Sequence, residues 1–392
     1  MRTTFEPIAS VRPIITTAQL SEFIASIAPE DFHAKRVLSL SNATLGVLHA
    51  GALTIHAIGR GLAVARGLDD KHTVKQVDRL LSNSGFDVER FCIEWVRYVV
   101  SGRPRIIVNM DWTDFDDDDQ TAIVLSLQTD HGRSTPLLWK TVLKSELKGK
   151  RNDHEDAILT QLRDVLAPET RVTIVADRGF GDTKLFQFLG ELGFHFVIRF
   201  KANMTVTSAS GEARPAKGWL GSTGRMRVLR DATVTALECP VSTVVIVQDK
   251  GMKDTWCLAA SDQTVSGAEL KATYGRRFTI EEMFRDFKDP RFGMGMKLAR
   301  IGKPERRDRL FLIVTIAHGL LTLLGAAGED LGLDRVLKVN TTKKRTLSLF
   351  RQGLLWYERM LTMPTARLEK LISQFIERVA THAAFRFTLG KL

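Results

Sequence analysis

Cysteine is scarce in this 392-residue chain: Cys92, Cys239 and Cys257 are the only three. They are scattered, odd in number and form no C-x-x-C pair, which argues against a disulfide framework or a zinc site and fits a reducing cytosolic compartment. The opening residues, MRTTFEPIAS, lack the apolar core of a signal peptide. Internal repeats and low-complexity segments are absent too, so the chain reads as ordinary globular structure. Long apolar runs are limited to one, LFLIVTIAHGLLTLLGAAG, from Leu310 to Gly328. It is of borderline length for a membrane span, but His318, two threonines and several glycines interrupt it. A buried core helix is the expectation, with no membrane partner.

Negative charge is also in deficit. Lys and Arg outnumber Asp and Glu by 56 to 45, a net charge of +11. A basic balance points to an anionic partner, most often nucleic acid, and is silent on fold. The excess is uneven: residues 1–100 carry +1, 101–200 carry −3, 201–300 carry +5 and 301–392 carry +8. An acidic zone inside a cationic protein suits a metal site that works on a polyanion. The plainer alternative is that DFDDDDQ, Asp114 to Gln120, is a solvated loop that skews the count.

The first hundred residues read as helices, in TAQLSEFIASIA, ATLGVLHAGALTIHAIGRGLA and DDKHTVKQVDRLLSN. In the last, Val74, Val77, Leu80 and Leu81 share one face. Lys71, Lys75 and Arg79 lie on another face, which suits a DNA-contact helix or simply a solvated one. From Arg105 the pattern turns to strands: RIIVNMDW, TAIVLSLQ and STPLLWKTVL in close succession. Helix, strand, helix and strand follow in HEDAILTQLRDVL, RVTIVAD, TKLFQFLGELG and FHFVIRF. An antiparallel meander extended by parallel βα units is the order of an α/β, ribonuclease-H-like mixed sheet. Residues 203–262 read as a small β-rich insertion. Ser266 with Glu269 fits a capping box that opens a long helix, and Asp289-Pro290 ends it. Helices over 306–327, 342–361 and 364–381 complete the chain. The expected organisation is a helical DNA-binding region (1–100), a catalytic core (101–202), the insertion (203–262), and the rest of the core with C-terminal helices (263–392).

Asp111 ends one apolar strand and Asp177 another, which would carry both carboxylates to the open edge of a sheet where α/β proteins bind ligands. On a helical wheel, Tyr274, Arg277, Glu281, Arg285 and Lys288 fall on one stripe, and Ile280, Met283, Phe284 and Phe287 on a separate apolar one. Glu281 and Arg285 make an ordinary i,i+4 pair. A lone Glu among three cations and a Tyr is nonetheless what a phosphodiester site requires, because cations bind phosphate while a carboxylate holds metal. Asp111, Asp177 and Glu281 could supply the oxygen ligands of two Mg²⁺ ions, with Mn²⁺ able to substitute.

Tyr274-x2-Arg277-x3-Glu281-x6-Lys288 reproduces the signature of the bacterial DDE transposases of the Tyr-Arg-Glu-Lys group, insertion-sequence family four, which the chain resembles. NMDWTDF and IVADRGFGD precede it at appropriate distances, and the likeness extends to KHTVKQVDRLLSN and the closing LGKL. The resemblance implies a ribonuclease-H-like core with Asp111, Asp177 and Glu281 as catalytic, metal-binding triad. It implies cut-and-paste transposition through a DNA hairpin. Double-stranded DNA, as terminal inverted repeats and as target, is the implied partner, with a homodimer in the synaptic complex and a cytoplasmic, nucleoid-associated location. Tyr274, Arg277 and Lys288, with Arg285 beside them, would contact phosphates. Trp256 would stack on a flipped base, and the N-terminal region, including Lys71, Lys75 and Arg79, would read the repeats. Two alternatives stay open: another metal-dependent nuclease on the same fold, and a non-catalytic DNA-binding repressor.

Overall fold

The computed structural model describes residues 15–221, 224–235 and 238–380. The opening stretch MRTTFEPIAS and the closing LGKL lie outside the described residues. Two compact units divide the chain: one holds the residues up to Tyr98 and those from Arg285 onward, and the other runs from Val99 to Phe284.

The helical unit begins with α1 (Thr17–Ser26), α2 (Ala34–Ala50), α3 (Ile55–Arg66), α4 (Asp70–Ser82) and most of α5 (Val88–Val100). Thr16, Thr54 and Asp69 accept hydrogen bonds from backbone N–H groups in the first turns of α1, α3 and α4, meeting donors a helix start leaves free. The run read as helical from Ala43 to Ala63 is two helices. Gly51 closes α2 at φ 58°, a left-handed position that glycine takes without a Cβ clash.

The second unit is built on one sheet. β1 (Arg105–Phe115), β2 (Gln120–Leu127) and β3 (Thr135–Leu143) form the antiparallel meander, and α6 (Arg151–Val165), β4 (Arg171–Ala176), α7 (Thr183–Glu191) and β5 (His195–Phe200) follow. β4 lies parallel to β1, and β5 parallel to β4. The order β3-β2-β1-β4-β5 is that of an α/β ribonuclease-H-like fold. β2 is covered on both faces: every one of its residues is buried. β6 (Thr205–Thr207), β7 (Ala213–Pro215), β8 (Arg227–Val234), β9 (Cys239–Val247) and β10 (Trp256–Ala260) make up the insertion. They extend the same sheet rather than forming a separate one, because β10 pairs antiparallel with β5, giving ten strands in order β3-β2-β1-β4-β5-β10-β9-β8-β6-β7.

The long helix expected from Ser266 to Asp289 is interrupted. α8 (Gly267–Gly275) opens where Ser266 accepts from the Glu269 N–H. A 3-10 turn, Arg276–Phe278, separates it from α9 (Thr279–Lys288), and the Thr279 hydroxyl donates back to the Arg276 carbonyl at 2.8 Å. A 3-10 turn advances about 120° per residue instead of about 100°, so the single stripe drawn on a uniform helix is re-phased after Tyr274. α9 ends before Asp289-Pro290, and Ile280, Met283, Phe284 and Phe287 are all buried.

The helical unit resumes with α10 (Pro304–Asp330), α11 (Leu349–Arg359) and α12 (Thr365–Ala380). α10 is long and apolar enough to cross a membrane, but its apolar window is wholly buried. α11 starts seven residues later than the expected 342, where Ser348 accepts from the Arg351 N–H. Residue 381, the expected end of the last helix, lies outside the described residues. α10 and α11 touch backbone to backbone: a Cβ on Gly353 would stand 1.8 Å from the Leu321 carbonyl oxygen. Cys92, Cys239 and Cys257 are buried and free.

Candidate active site

Asp111 does not end its strand as expected, because β1 continues to Phe115 by pairing with β2; strand register nonetheless sets it beside Asp177. Met110 pairs with Ala176 across the parallel β1–β4 ladder, so the next residue on each chain is a carboxylate, one strand spacing, about 4.8 Å, apart. Asp177 leaves β4 into a tight turn and accepts the Gly179 N–H at 2.7 Å. A Cβ on Gly179 would stand 3.0 Å from the Asp177 carboxylate oxygen, so a side chain there would press on that carboxylate; no positive φ is involved.

Glu281 reaches this edge through Arg277. The Arg277 guanidinium donates through Nη1 to Asp111 Oδ2 at 3.2 Å and through Nη2 to Glu281 Oε1. Arg277 and Asp111 are largely buried, with side chains 13% and 19% exposed, whereas Glu281 is 55% exposed. Burial pushes the Asp111 carboxyl up to about 6, Arg277 opposes this, and the nearby Asp177 and Glu281 charges add to it. Negative charge therefore converges on Asp111 and is only partly met by one guanidinium. Such a surplus of hard oxygen donors suits a divalent cation, although among the described residues no three His, Cys, Asp or Glu side chains form a metal-holding group. Asp111 and Glu281 are engaged with Arg277 instead.

Tyr274 is not on an exposed stripe. It is 5% exposed and packs in an apolar cluster with Val175, Val197, Leu258 and Leu270, because the helix bearing it lies on the sheet through that face. Burial raises its hydroxyl, which hydrogen-bonds Arg199. Trp256 opens β10, half-buried, and meets the Tyr274 ring edge-on at 4.8 Å.

Arg199 was missed in the sequence. Ala176 pairs with Ile198, so Arg199 stands next to Asp177 as Asp111 does on the other side. Phe200 pairs with Cys257, which brings Trp256 to the same edge. Arg199 also reaches Asp254 and the Thr255 carbonyl, at 3.5 and 3.4 Å. The one available signal was an arginine inside the apolar strand FHFVIRF.

The other expected residues lie in the helical unit. Arg285 and Lys288 are on the last turns of α9, past the division between units; Arg285 lies over the Phe292 ring at 5.4 Å. Lys71, Lys75 and Arg79 are exposed on α4. Arg79 lines an open groove of about 680 Å³ with Lys35, Arg66, Asn42, Gln76 and Asn83, and no carboxylate is among the lining residues. Lys71 and Lys75 are not part of that lining.

No curated protein matches this chain. Residues 137–320, which include Asp177 and Glu281 and begin after Asp111, match the family model described as the transposase DDE domain, and the match supports a DDE transposase.

Proposed function

We propose that the protein is a cut-and-paste transposase of the Tyr-Arg-Glu-Lys group that cleaves DNA at the ends of its element and joins them to a target. The observation that supports this reading is that strand register sets Asp177 beside Asp111 and that one guanidinium, Arg277, bonds both Asp111 and Glu281. Three carboxylates offer the oxygen donors that Mg²⁺ or Mn²⁺ takes. Asp111, Asp177 and Glu281 would hold such ions, whose chemistry would be to activate a water or a 3′-hydroxyl and to stabilise the leaving oxygen of an in-line displacement.

The remaining roles belong to the chain's own groups. Arg277 and Arg199 supply guanidinium forks that grip phosphate oxygens bidentately, with Lys288 and Arg285 adding charge. Tyr274 orients Arg199 through its hydroxyl. Trp256 offers its ring to a base displaced from the end of the duplex, as a hairpin intermediate requires. The helical region before residue 100 reads the terminal repeats, with Arg79, Lys71 and Lys75 contributing charge. Two protomers hold the two ends in the synaptic complex.

The test is cleavage of a fragment carrying the inverted repeats that flank the gene, with Mg²⁺. Asp111→Ala, Asp177→Ala and Glu281→Ala each abolish cutting and leave end binding largely intact. Normal cutting by Glu281→Ala would refute the site. Cutting without matched ends would point instead to another metal-dependent nuclease.

A further inference from the structure

Arg277 does two jobs that cannot be done at once. Its fork is laid across Asp111 and Glu281, yet the proposed function gives the same guanidinium a DNA phosphate to grip. A cation between two carboxylates satisfies their charge and takes up oxygen lone pairs that a metal ion would need. It also repels a second cation from the same spot.

We propose that Arg277 is an internal stand-in cation that closes Asp111 and Glu281 to divalent ions until a DNA phosphate draws it away, so that metal loading is coupled to DNA binding. The inference rests on the reading of these carboxylates as metal-binding. Its geometry explains three features together. Arg277 is bound at both ends of its fork, not loosely paired to one acid. Its side chain is mostly buried, so solvent competes weakly for it. The Tyr274 ring, 6.0 Å from the guanidinium carbon, gives it a second surface against which to reorient. A phosphate accepts two parallel N–H bonds in competition with the carboxylates, so the exchange keeps the guanidinium satisfied while freeing the acids. A nuclease built this way holds no reactive metal centre when no DNA is bound.

The test is Mn²⁺ binding to the full-length protein without DNA, by titration calorimetry and by electron paramagnetic resonance of free Mn²⁺. Arg277→Gln binds Mn²⁺ about tenfold more tightly than wild type, within the usual range for coupling between two ligands on one protein. Adding Asp111→Asn to that variant removes the gain. Arg277→Lys keeps the charge but cannot fork across both acids, so its affinity falls between the two and serves if the Gln variant does not fold. Adding a duplex cut from the DNA flanking the gene raises the affinity of wild type towards that of Arg277→Gln. If wild type already shows Asp111-dependent binding as tight as that of both variants, the gate is refuted and the metal reading survives. If no protein shows Asp111-dependent binding, the metal reading fails and the gate with it.

Discussion

The side-chain amide of Asn109 donates to the Thr279 hydroxyl at 3.1 Å. This bond ties β1 to the first residue of α9, two residues before Asp111 on one side and two before Glu281 on the other. Gln128 braces it, donating through Nε2 to the Asn109 side-chain oxygen Oδ1 at 2.9 Å and to the Thr273 backbone carbonyl at 3.2 Å. Asn109, Gln128 and Thr279 are at most 2% exposed. A buried network of this kind fixes register because any slip leaves a polar group unpaired.

Asn109→Ala would strand Gln128 and Thr279 at the interface of sheet and helix. The expected loss is roughly 1–3 kcal/mol of stability, the usual cost of orphaning a buried polar group, read from the urea midpoint at constant slope. DNA cleavage should fall further than stability alone accounts for, since the spacing of Asp111 and Glu281 is relaxed. An unchanged midpoint would show that the network does not hold α9.

Asp111 gives a pH dependence of definite sign. Its folded-state pKa, about 6, is raised above its ordinary value of 3.8. Between these values the folded chain binds more protons than the unfolded one, so Asp111 makes stability decrease as pH rises from about 4 to about 6. Asp111→Asn should flatten that part of the profile in metal-free buffer. A mutant profile parallel to wild type would mean that Asp111 titrates normally.

Glu282 is the natural control for Glu281, about 100° away on the helix. It is not idle: Arg133 on the β2–β3 connection lies 3.3 Å from it, with side chains 14% and 27% exposed. A partly exposed pair contributes about 1 kcal/mol or less. Glu282→Ala should therefore shift the denaturation midpoint slightly and keep cleavage, while Glu281→Ala cleaves nothing. Equal loss of cleavage in both variants would undo the distinction between them.

Arg199→Ala removes a guanidinium from the edge that carries Asp177 and Trp256. Binding to element ends should weaken, and the slope of log affinity against log salt should shrink by about one unit, as for loss of one phosphate contact. The melting curve should change little, because Arg199 is bonded mainly to Tyr274 and to the half-exposed segment at Asp254 and Thr255. An unaltered salt slope would remove Arg199 from the DNA interface.

Local pattern was enough to place much of this protein. The five core strands, Asp111 and Asp177 among or beside them, the Ser266 cap and the stop at Asp289-Pro290 were all legible, because alternation, caps and proline act within a few residues. Helix breaks were less so: nothing in the periodicity from Tyr274 to Lys288 announces the 3-10 turn at Arg276–Phe278. Tyr274 looked like one member of a charged stripe, and only packing against Val175 and Val197 decides that its ring is buried. Arg199 was an unremarked charge in a strand until β4–β5 register set it beside Asp177. The insertion was recognisable as β-rich, but its union with the core depends on β10 meeting β5. The sequence by itself therefore determined which residues carry charge, where strands lie and that Asp177 follows the end of one, whereas Asp111, expected at a strand end, lies inside β1. Tertiary structure alone decided which charges face one another, because register and helix phase are set by contacts between residues far apart in the chain. Arg277 is the clearest case: its neighbour Glu281 is four residues away, and Asp111, its other partner, is 166.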